Sequence, residues 1–241
     1  MTDQIKDAVA EAITGAPARK RVKVDMHMHS EVSPDSRMRP AEQARRIKET
    51  GLDVVCATDH NSIEGGLRLR EIADGFRVIV GEEILSKDGE IIGLFLERTI
   101  PPRLSAEETI DRIRDQGGVV SIPHPFSRNR LNHIRFAALE RIKKDIDAIE
   151  IFNAREAFTG DNLRAAKYAS DNGIAGAAAS DAHRPAEIGA AWVDMDDFLD
   201  RDGFVAALRT GTVNGRLSGQ VVHLFTRMDV VRKWFARRFG D

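Results

Sequence analysis

The chain has one cysteine, one tyrosine and two tryptophans among 241 residues, and no apolar run approaches the ~20 residues of a membrane span. A lone cysteine, Cys56, excludes an intrachain disulfide and suits a reducing cytoplasm, the expected location. Cys56 stands in an apolar run and is expected to be a small buried hydrophobe. Charge of one sign is also missing: 36 Lys and Arg face 38 Asp and Glu, a formal net charge of −2. No global basic field therefore recommends duplex nucleic acid as a partner, although local arginines can still reach small or single-stranded phosphates. The first residues lack the apolar core of a signal peptide. No Gly-x-Gly-x-x-Gly follows the first expected strand, so the dinucleotide-binding fingerprint is absent. Linkers, internal repeats and low-complexity segments are absent as well.

What is present is an ordinary globular composition, 42% hydrophobic and 31% charged, at a length that can bury a sizeable core. Residues 1–21 read as a short polar leader helix, broken at Gly15-Ala16-Pro17. Apolar runs predict strands over 22–26, 54–57, 77–80, 91–96, 119–122, 148–152 and 174–179. Helices are expected between them: from Pro40 to the stop at Gly51, over 64–73, from Ser105 to about residue 116, in part of 134–144, over 161–172, and later over 198–208. Proline at a helix start, Ser105 with Glu108 as a capping box, and glycine just past a helix end carry these boundaries. Residues 22–219 form the expected catalytic barrel and 220–241 a basic amphipathic C-terminal helix.

Strands alternating with helices over short connections call for a mostly parallel α/β sheet. Ligand-type residues at the C-terminal ends of nearly every strand select a barrel over an open sheet. They are His27 and His29, His60, Glu83, His124, then Asp181 and His183, with Asp35 added from the first loop. Alternate strand residues share a face, so Asp25, His27 and His29 are expected on one side, with the two imidazoles as a pincer for a divalent ion. Nitrogen and carboxylate donors without cysteine suit Zn²⁺, Mn²⁺ or Fe. Eight donors exceed the four that one zinc uses, so two or three divalent ions are expected. Glu83, with two oxygens, is the natural bridge.

The segments Asp25-Met26-His27-Met28-His29-Ser30, Thr58-Asp59-His60, Gly81-Glu82-Glu83, Pro123-His124-Pro125 and Ser180-Asp181-Ala182-His183 resemble the PHP (polymerase and histidinol phosphatase) family of metal-dependent phosphoesterases. The resemblance implies a distorted (β/α)7, TIM-barrel-like fold with its active site at the C-terminal ends of the parallel strands. It implies His27 and His29 on one ion with Asp181, Glu83 as a bridge, and Asp35, His60, His124 and His183 on the other ions. Two positions depart from the family pattern. Pro34 occupies the usual acidic position after the histidine pair, with Asp35 one residue beyond. Glu90 stands where many trinuclear members have a histidine, either as a ligand of the third ion or as a solvated turn residue.

The reaction implied is hydrolysis of a phosphate ester by a metal-bound hydroxide, on a nucleotide, a short oligonucleotide or a small-molecule phosphate. Two alternatives share the metals: an amidohydrolase-type hydrolase, and a non-catalytic metal-binding module acting with a partner protein. Asp25 and Asp59 read as carboxylates that orient ligands. Arg128, Arg130, Arg155 and Arg184 are candidate phosphate clamps, with Arg155 and Arg184 favoured. Glu150 and Asn153 share a strand end, and Asn153 is a candidate partner for substrate or a ligand. His133 and His223 match no motif position, and Trp192 is expected to pack. In the tail, Leu224, Met228, Val231 and Phe235 recur at helical spacing, with Arg232, Lys233, Arg237 and Arg238 off that stripe. That stripe is expected to dock on the barrel or at an interface.

Overall fold

The computed structural model describes residues 20–219 together with Val222, Thr226, residues 228–233 and Arg238. The leader helix expected over 1–21 therefore falls almost wholly outside the described residues. Among those described, nine strands form one sheet. They are β1 (Arg21–Met28), β2 (Val54–Ala57), β3 (Arg77–Ser86), β4 (Gly89–Leu94), β5 (Val119–Ile122), β6 (Ala148–Asn153), β7 (Ala175–Ala179), β8 (Ala191–Asp196) and β9 (Thr212–Gly215). Their order is β7-β6-β5-β4-β3-β2-β1-β8-β9. Parallel pairing joins β1 to β2, β2 to β3, β5 to β6 and β6 to β7.

The sheet curls until β7 meets β1. The amide of Asp181 donates to the carbonyl of His27, and that of His29 to the carbonyl of Ala182, both at 2.9 Å. One edge of β1 thus serves two partners. Its first half, from Arg21 to Val24, pairs antiparallel with β8, and its far end meets the chain leaving β7. The result is the expected TIM-like barrel, distorted in two places. At β4 no helix intervenes, because Lys87-Asp88 turns the chain straight back and β4 runs antiparallel to β3 and β5. The second distortion is the antiparallel β8–β9 pair beside β1, whose connection carries a helix over Arg201–Arg209 and which the sequence reading does not anticipate. Its signal is present, since buried Ala191, Val193 and Met195 alternate with half-buried Trp192, Asp194 and Asp196.

Among the described residues five helices cover the outer face, α1 (Pro40–Thr50), α2 (Glu64–Glu71), α3 (Ala106–Arg114), α4 (Phe136–Ile142) and α5 (Thr159–Asn172), while α6 (Arg201–Arg209) buries Phe204, Ala207 and Leu208 in the interior cluster. The expected caps operate. Gly51 takes the left-handed conformation at φ 67° after α1, and Ser105 with Glu108 closes a capping box on α3. α1 and α2 bury Ile47 and Leu69 against Met28, Val55 and Ala57. α3, α4 and α5 cover Val80, Ile84, Val120, Ile122 and Ile149.

The interior is layered. Val22, Val24, Met26, Val54, Cys56, Ile79, Ile92, Leu94, Val119, Ala148 and Ala177 form one apolar cluster in its lower part. Cys56 is fully buried there, as expected, and burial pushes its thiol well up. Period-two alternation then carries the same face upward into acids: Ile79 and Gly81 lead to Glu83, Leu94 and Ile92 lead to Glu90, and Ala148 leads to Glu150.

β1 breaks that alternation. Against β2, Asp25 lies opposite Val55 and Met28 opposite Ala57, so three steps on β1 match two on β2, a bulge. Val24 and Met26 belong to the interior cluster and Met28 to the outer one. Asp25 therefore does not share the face of His27 and His29, contrary to the simple alternation. The extra residue turns both histidines inward while Asp25 stays outside, accepting the amide of Ser180 at 2.9 Å.

In the C-terminal tail, Met228 and Val231 of the apolar stripe are 39% and 53% exposed, while Leu224 and Phe235 lie outside the described residues, as does His223. Among the described residues, contacts with the barrel come from a polar face at helical spacing. Thr226 meets Arg155, Asp229 meets Arg184, and Lys233 meets the carbonyls of Glu31 and Ser33. Trp192 packs against the outer apolar cluster, and Nδ1 of His133 bonds the carbonyl of Arg130. No helix of the described residues is long and apolar enough to cross a membrane.

Glu82, on the outer side of β3, is buried with one oxygen accepting the amide of Ile100 at 2.8 Å and the other without a partner. Burial pushes its carboxyl up to about 7. A raised carboxyl stabilises the fold in its protonated form and loses that contribution as pH rises through its folded pKa. Glu82→Gln should therefore gain stability over the parent by about 1–3 kcal/mol between pH 4.5 and pH 8. Urea unfolding at matched metal loading reads this, and a pH-independent difference would show that the carboxyl ionises without cost.

Candidate metal centre

Nine donor residues converge on the C-terminal mouth of the barrel. Four overlapping groups arise: His29, Asp35, His60 and His183; His27, Glu83 and His124; His27, His29 and Asp181; His60, Glu83 and Glu90. Every residue expected as a metal ligand is in this set, including Asp35, whose loop absorbs the one-residue offset. Asp35 Oδ2 lies 2.9 Å from His183 Nε2 and 3.5 Å from His60 Nε2. Glu90 is no solvated turn residue. It is 5% exposed, within 3.9 Å of His60 Nδ1 and 3.8 Å of His124 Nε2.

The spacing fits cations. Two atoms each ~2.1 Å from one ion at a tetrahedral angle lie roughly 3.4 Å apart. His27 Nε2 is 3.3 Å from Glu83 Oε2, and His29 Nε2 is 3.4 Å from both Glu83 Oε2 and Asp181 Oδ1. Glu83 reaches the other side as well, with Oε1 3.1 Å from His124 Nε2 and Oε2 3.0 Å from His60 Nδ1. Asp181 Oδ1, Asp35 Oδ1 and His124 Nδ1 are buried without hydrogen-bond partners. Acids and imidazoles buried this densely need compensating charge.

Neighbouring groups fix the histidine tautomers. His27 Nδ1 lies 2.7 Å from Glu150 Oε1, so it donates there and Nε2 keeps its lone pair. Glu150 is itself held by the Asn153 side chain and the His124 amide. His29 is set through a relay. Its Nδ1 lies 3.0 Å from Ser33 Oγ, and Ser33 donates to Asp59 Oδ1 at 2.7 Å. Asp59 thus acts on His29 through Ser33, as an orienting carboxylate. Asp25 binds backbone amides instead, and the role expected of it at His27 falls to Glu150. The lone pairs of His27 and His29 converge, with their Nε2 atoms 2.9 Å apart.

The backbone is bent to suit. His124 and Asp181 sit at φ 28° and 51°, where a residue with a Cβ is strained. For Asp181 the two seam hydrogen bonds hold that conformation.

Electrostatics follow from this crowding. Despite burial, the carboxylates of Glu83, Asp181 and Glu150 hold His27 well above its ordinary value. Glu83, Asp35 and Glu90 likewise lift His60 to about 10. Burial and the neighbouring His183 and His60 push His29 down to about 3. Glu83 and Asp181 are held well below the carboxylate range, against burial, by the surrounding cations.

The arginines sort differently from expectation. Arg130 places Nη1 2.5 Å from Asp181 Oδ2 on the wall of the central cavity. Arg155 also lines that cavity, but its guanidinium is committed to His183, Thr226 and the carbonyl of Val222. Arg184 is not among the residues lining this cavity and pairs with Asp229 at 2.6 Å. Arg128 pairs with Asp161. Sequence reasoning missed Ser33 as a site residue and did not single out the role of Glu150, and it named Arg130 among the candidate clamps without favouring it. Only contacts across the barrel mouth reveal them.

Comparison with known proteins gives a consistent picture. The PHP domain family model matches residues 25–136, and a PHP-associated model matches 159–213. The uncharacterized protein MJ1587 of Methanocaldococcus jannaschii is 40% identical over 146 residues, covering 55% of this chain and 82% of its own length. A second uncharacterized protein of that organism, MJ0417, is 36% identical over 181 residues, covering 73% and 71%. A two-domain protein of Bacteroides vulgatus containing a predicted PHP-like metal-dependent phosphoesterase superposes with a TM-score of 0.67 at 20% identity. That likeness covers 82% of this chain and 66% of the other, and it speaks to the fold.

Two outcomes check the site. A Cβ on Gly65 would sit 1.9 Å from Asp59 Oδ2 and 2.2 Å from Ser30 Oγ. Gly65→Ala should displace Asp59, cost about 1–3 kcal/mol in thermal or urea unfolding and weaken metal binding ten- to a hundredfold. In the metal-free protein His27 and His60 carry protons near neutrality, so a divalent ion must displace them. Calorimetry with Mn²⁺ or Zn²⁺ in buffers of different ionisation enthalpy should show proton release, with affinity falling from pH 8 to pH 6. Affinity independent of pH would remove these imidazoles from the ligand set.

Proposed function

Because the chain belongs to the PHP family, and because its nine donors draw together at one barrel mouth, we propose that it hydrolyses a phosphate ester with two or three divalent ions bound there. The observation that carries this reading is the single cluster formed by His27, His29, Asp35, His60, Glu83, Glu90, His124, Asp181 and His183. Mn²⁺, Zn²⁺ and Fe suit imidazole and carboxylate donors without thiolate. When bound, such ions lower the pKa of a coordinated water and neutralise phosphate oxygens as charge builds.

The protein's own residues supply the rest. Glu83 offers its two oxygens to opposite sides of the cluster and suits a bridging role. Glu150, and Asp59 through Ser33, keep the Nε2 lone pairs of His27 and His29 aimed inward. Arg130, fixed by Asp181 and charged at any working pH, stands where an arginine can take a phosphate oxygen. The cavity measures about 680 Å³, with Leu85, Leu131 and Val230 beside the polar groups. That volume admits a nucleotide, the end of a short oligonucleotide or a small-molecule phosphate. The seclusion of the donors within one mouth supports an enzyme over a passive metal-holding module.

His29→Ala and Asp181→Ala should each lose bound metal together with activity on p-nitrophenyl phosphate, by at least about a hundredfold. Circular dichroism should show the fold retained. Full activity in either variant would reject the site. Turnover of an ester or amide panel in place of phosphoesters would move the reaction to the amidohydrolase type.

A further inference from the structure

The loop between β5 and α4 carries Arg130 onto the wall of the metal cavity. Its backbone is tied to the β3–β4 turn, where the Glu90 amide donates to the carbonyl of Asn132 and the Arg135 amide to that of Asp88, both at 2.8 Å. The tip between these ties is open, and Leu131 is fully exposed. A long arginine at such a tip gains rotamer freedom by leaving for solvent unless its head group is held.

Three groups surround the guanidinium. Nη1 lies 2.5 Å from Asp181 Oδ2, Nη2 donates to Asn153 Oδ1 at 3.3 Å, and Nε faces Glu156 Oε1 at 4.0 Å. Asp181 also belongs to the candidate metal-ligand groups, so its negative charge is shared with any ion bound there. Asn153 carries no charge, and its side-chain oxygen already accepts the Arg155 amide at 2.9 Å. Glu156 differs from both. It belongs to none of the metal-ligand groups, and its side chain is 2% exposed. Arg130 Nε and Glu156 Oε1 are each buried and without a hydrogen-bond partner among the described residues. A buried polar atom left unpaired costs about 1–3 kcal/mol, and a movement of roughly 1 Å would join these two. The other oxygen, Oε2, accepts the hydroxyl of buried Ser127 at 3.0 Å. The Glu156 amide donates to the carbonyl of Asn153 at 3.2 Å, which anchors this carboxylate to the end of β6 and not to the loop that bears Arg130.

We propose that Glu156, backed by Ser127, is a positioning residue for Arg130. It holds the guanidinium at the cavity wall when an ion draws on the charge of Asp181, and so keeps Arg130 aimed at a phosphate oxygen. This rests on the hydrolase reading above. Glu156 acts through Arg130 alone. Removing its charge therefore weakens the hold on the phosphate group equally before and during reaction, which raises KM and spares kcat.

The test is a mutant cycle on the metal-loaded full chain with p-nitrophenyl phosphate: parent, Glu156→Gln, Arg130→Ala and the two together. Glutamine keeps the shape of the side chain and an oxygen for Ser127. Glu156→Gln should raise KM at least about fivefold and hold kcat within about twofold, with metal content unchanged by elemental analysis. In the Arg130→Ala background the same substitution should add less than about twofold, because the group it serves is gone. An unchanged KM in Glu156→Gln, or an equal rise with and without Arg130, overturns the inference while leaving hydrolysis intact. Loss of metal from Glu156→Gln also overturns it, since Glu156 would then be supporting the ligands. If Glu156→Gln does not fold, Ser127→Ala runs the same cycle, with KM raised about two- to threefold only where Arg130 is present. An equal effect in both backgrounds, or none, overturns the inference there too. If no phosphoester is turned over, the hydrolase reading fails on its own. Calorimetric affinity of the same variants for inorganic phosphate then judges Glu156 alone. A loss of at least about fivefold in Glu156→Gln is expected, and parental affinity overturns the inference.

Discussion

Four carboxylates, those of Asp35, Glu83, Glu90 and Asp181, are drawn together at one mouth of the barrel, and this charge governs the rest of the structure. Carboxylates taken out of water repel one another and cost several kcal/mol each unless cations answer them. The protein answers with Arg130, whose guanidinium meets Asp181, and with the imidazoles of His27 and His60, which these acids hold above their ordinary value. Ions bound at the same atoms would take over that role. The fold beneath, a plug of valine, isoleucine, leucine and alanine, supplies the rigidity that such a concentration of charge demands.

Two backbone irregularities make the convergence possible. The β1 bulge shifts the side-chain register so that His27 and His29 both face inward above Met26. The β3–β4 turn returns the chain without a helix, which brings Glu90 alongside Glu83 on adjacent antiparallel strands. A regular barrel would offer one donor position at each strand end. The hairpin adds a second acid from the neighbouring strand within reach of the same histidines.

The gathering of donors at the mouth was largely legible in the sequence, because imidazoles and acids placed just after apolar runs are a local signal that strand ends preserve. Barrel closure followed from the repetition of strand and helix. Asp25 was misplaced because a bulge is invisible to alternation: one extra residue reverses everything upstream of it. Glu150 and Ser33 escaped because their roles exist only in contacts between strand ends and loops, His27 with Glu150 and His29 through Ser33 with Asp59. The favoured arginines show the same limit. Arg155 and Arg184 sit near strand ends as expected, yet both hold polar residues of the tail.

The divided edge of β1 bears on how the molecule opens. Its lower half is zipped to β8, while its upper end closes the ring through the Asp181 and His29 amides, a longer bond from Ser180 Oγ to the His27 carbonyl, and the Ser180 amide on Asp25. The upper fastening lies within the donor loops themselves, so an ion held by Asp181, His27 and His29 would fasten the ring as well. Without one, the rim would slacken before the base of the cylinder, and amides 29 and 181 would exchange ahead of amides 21 to 24.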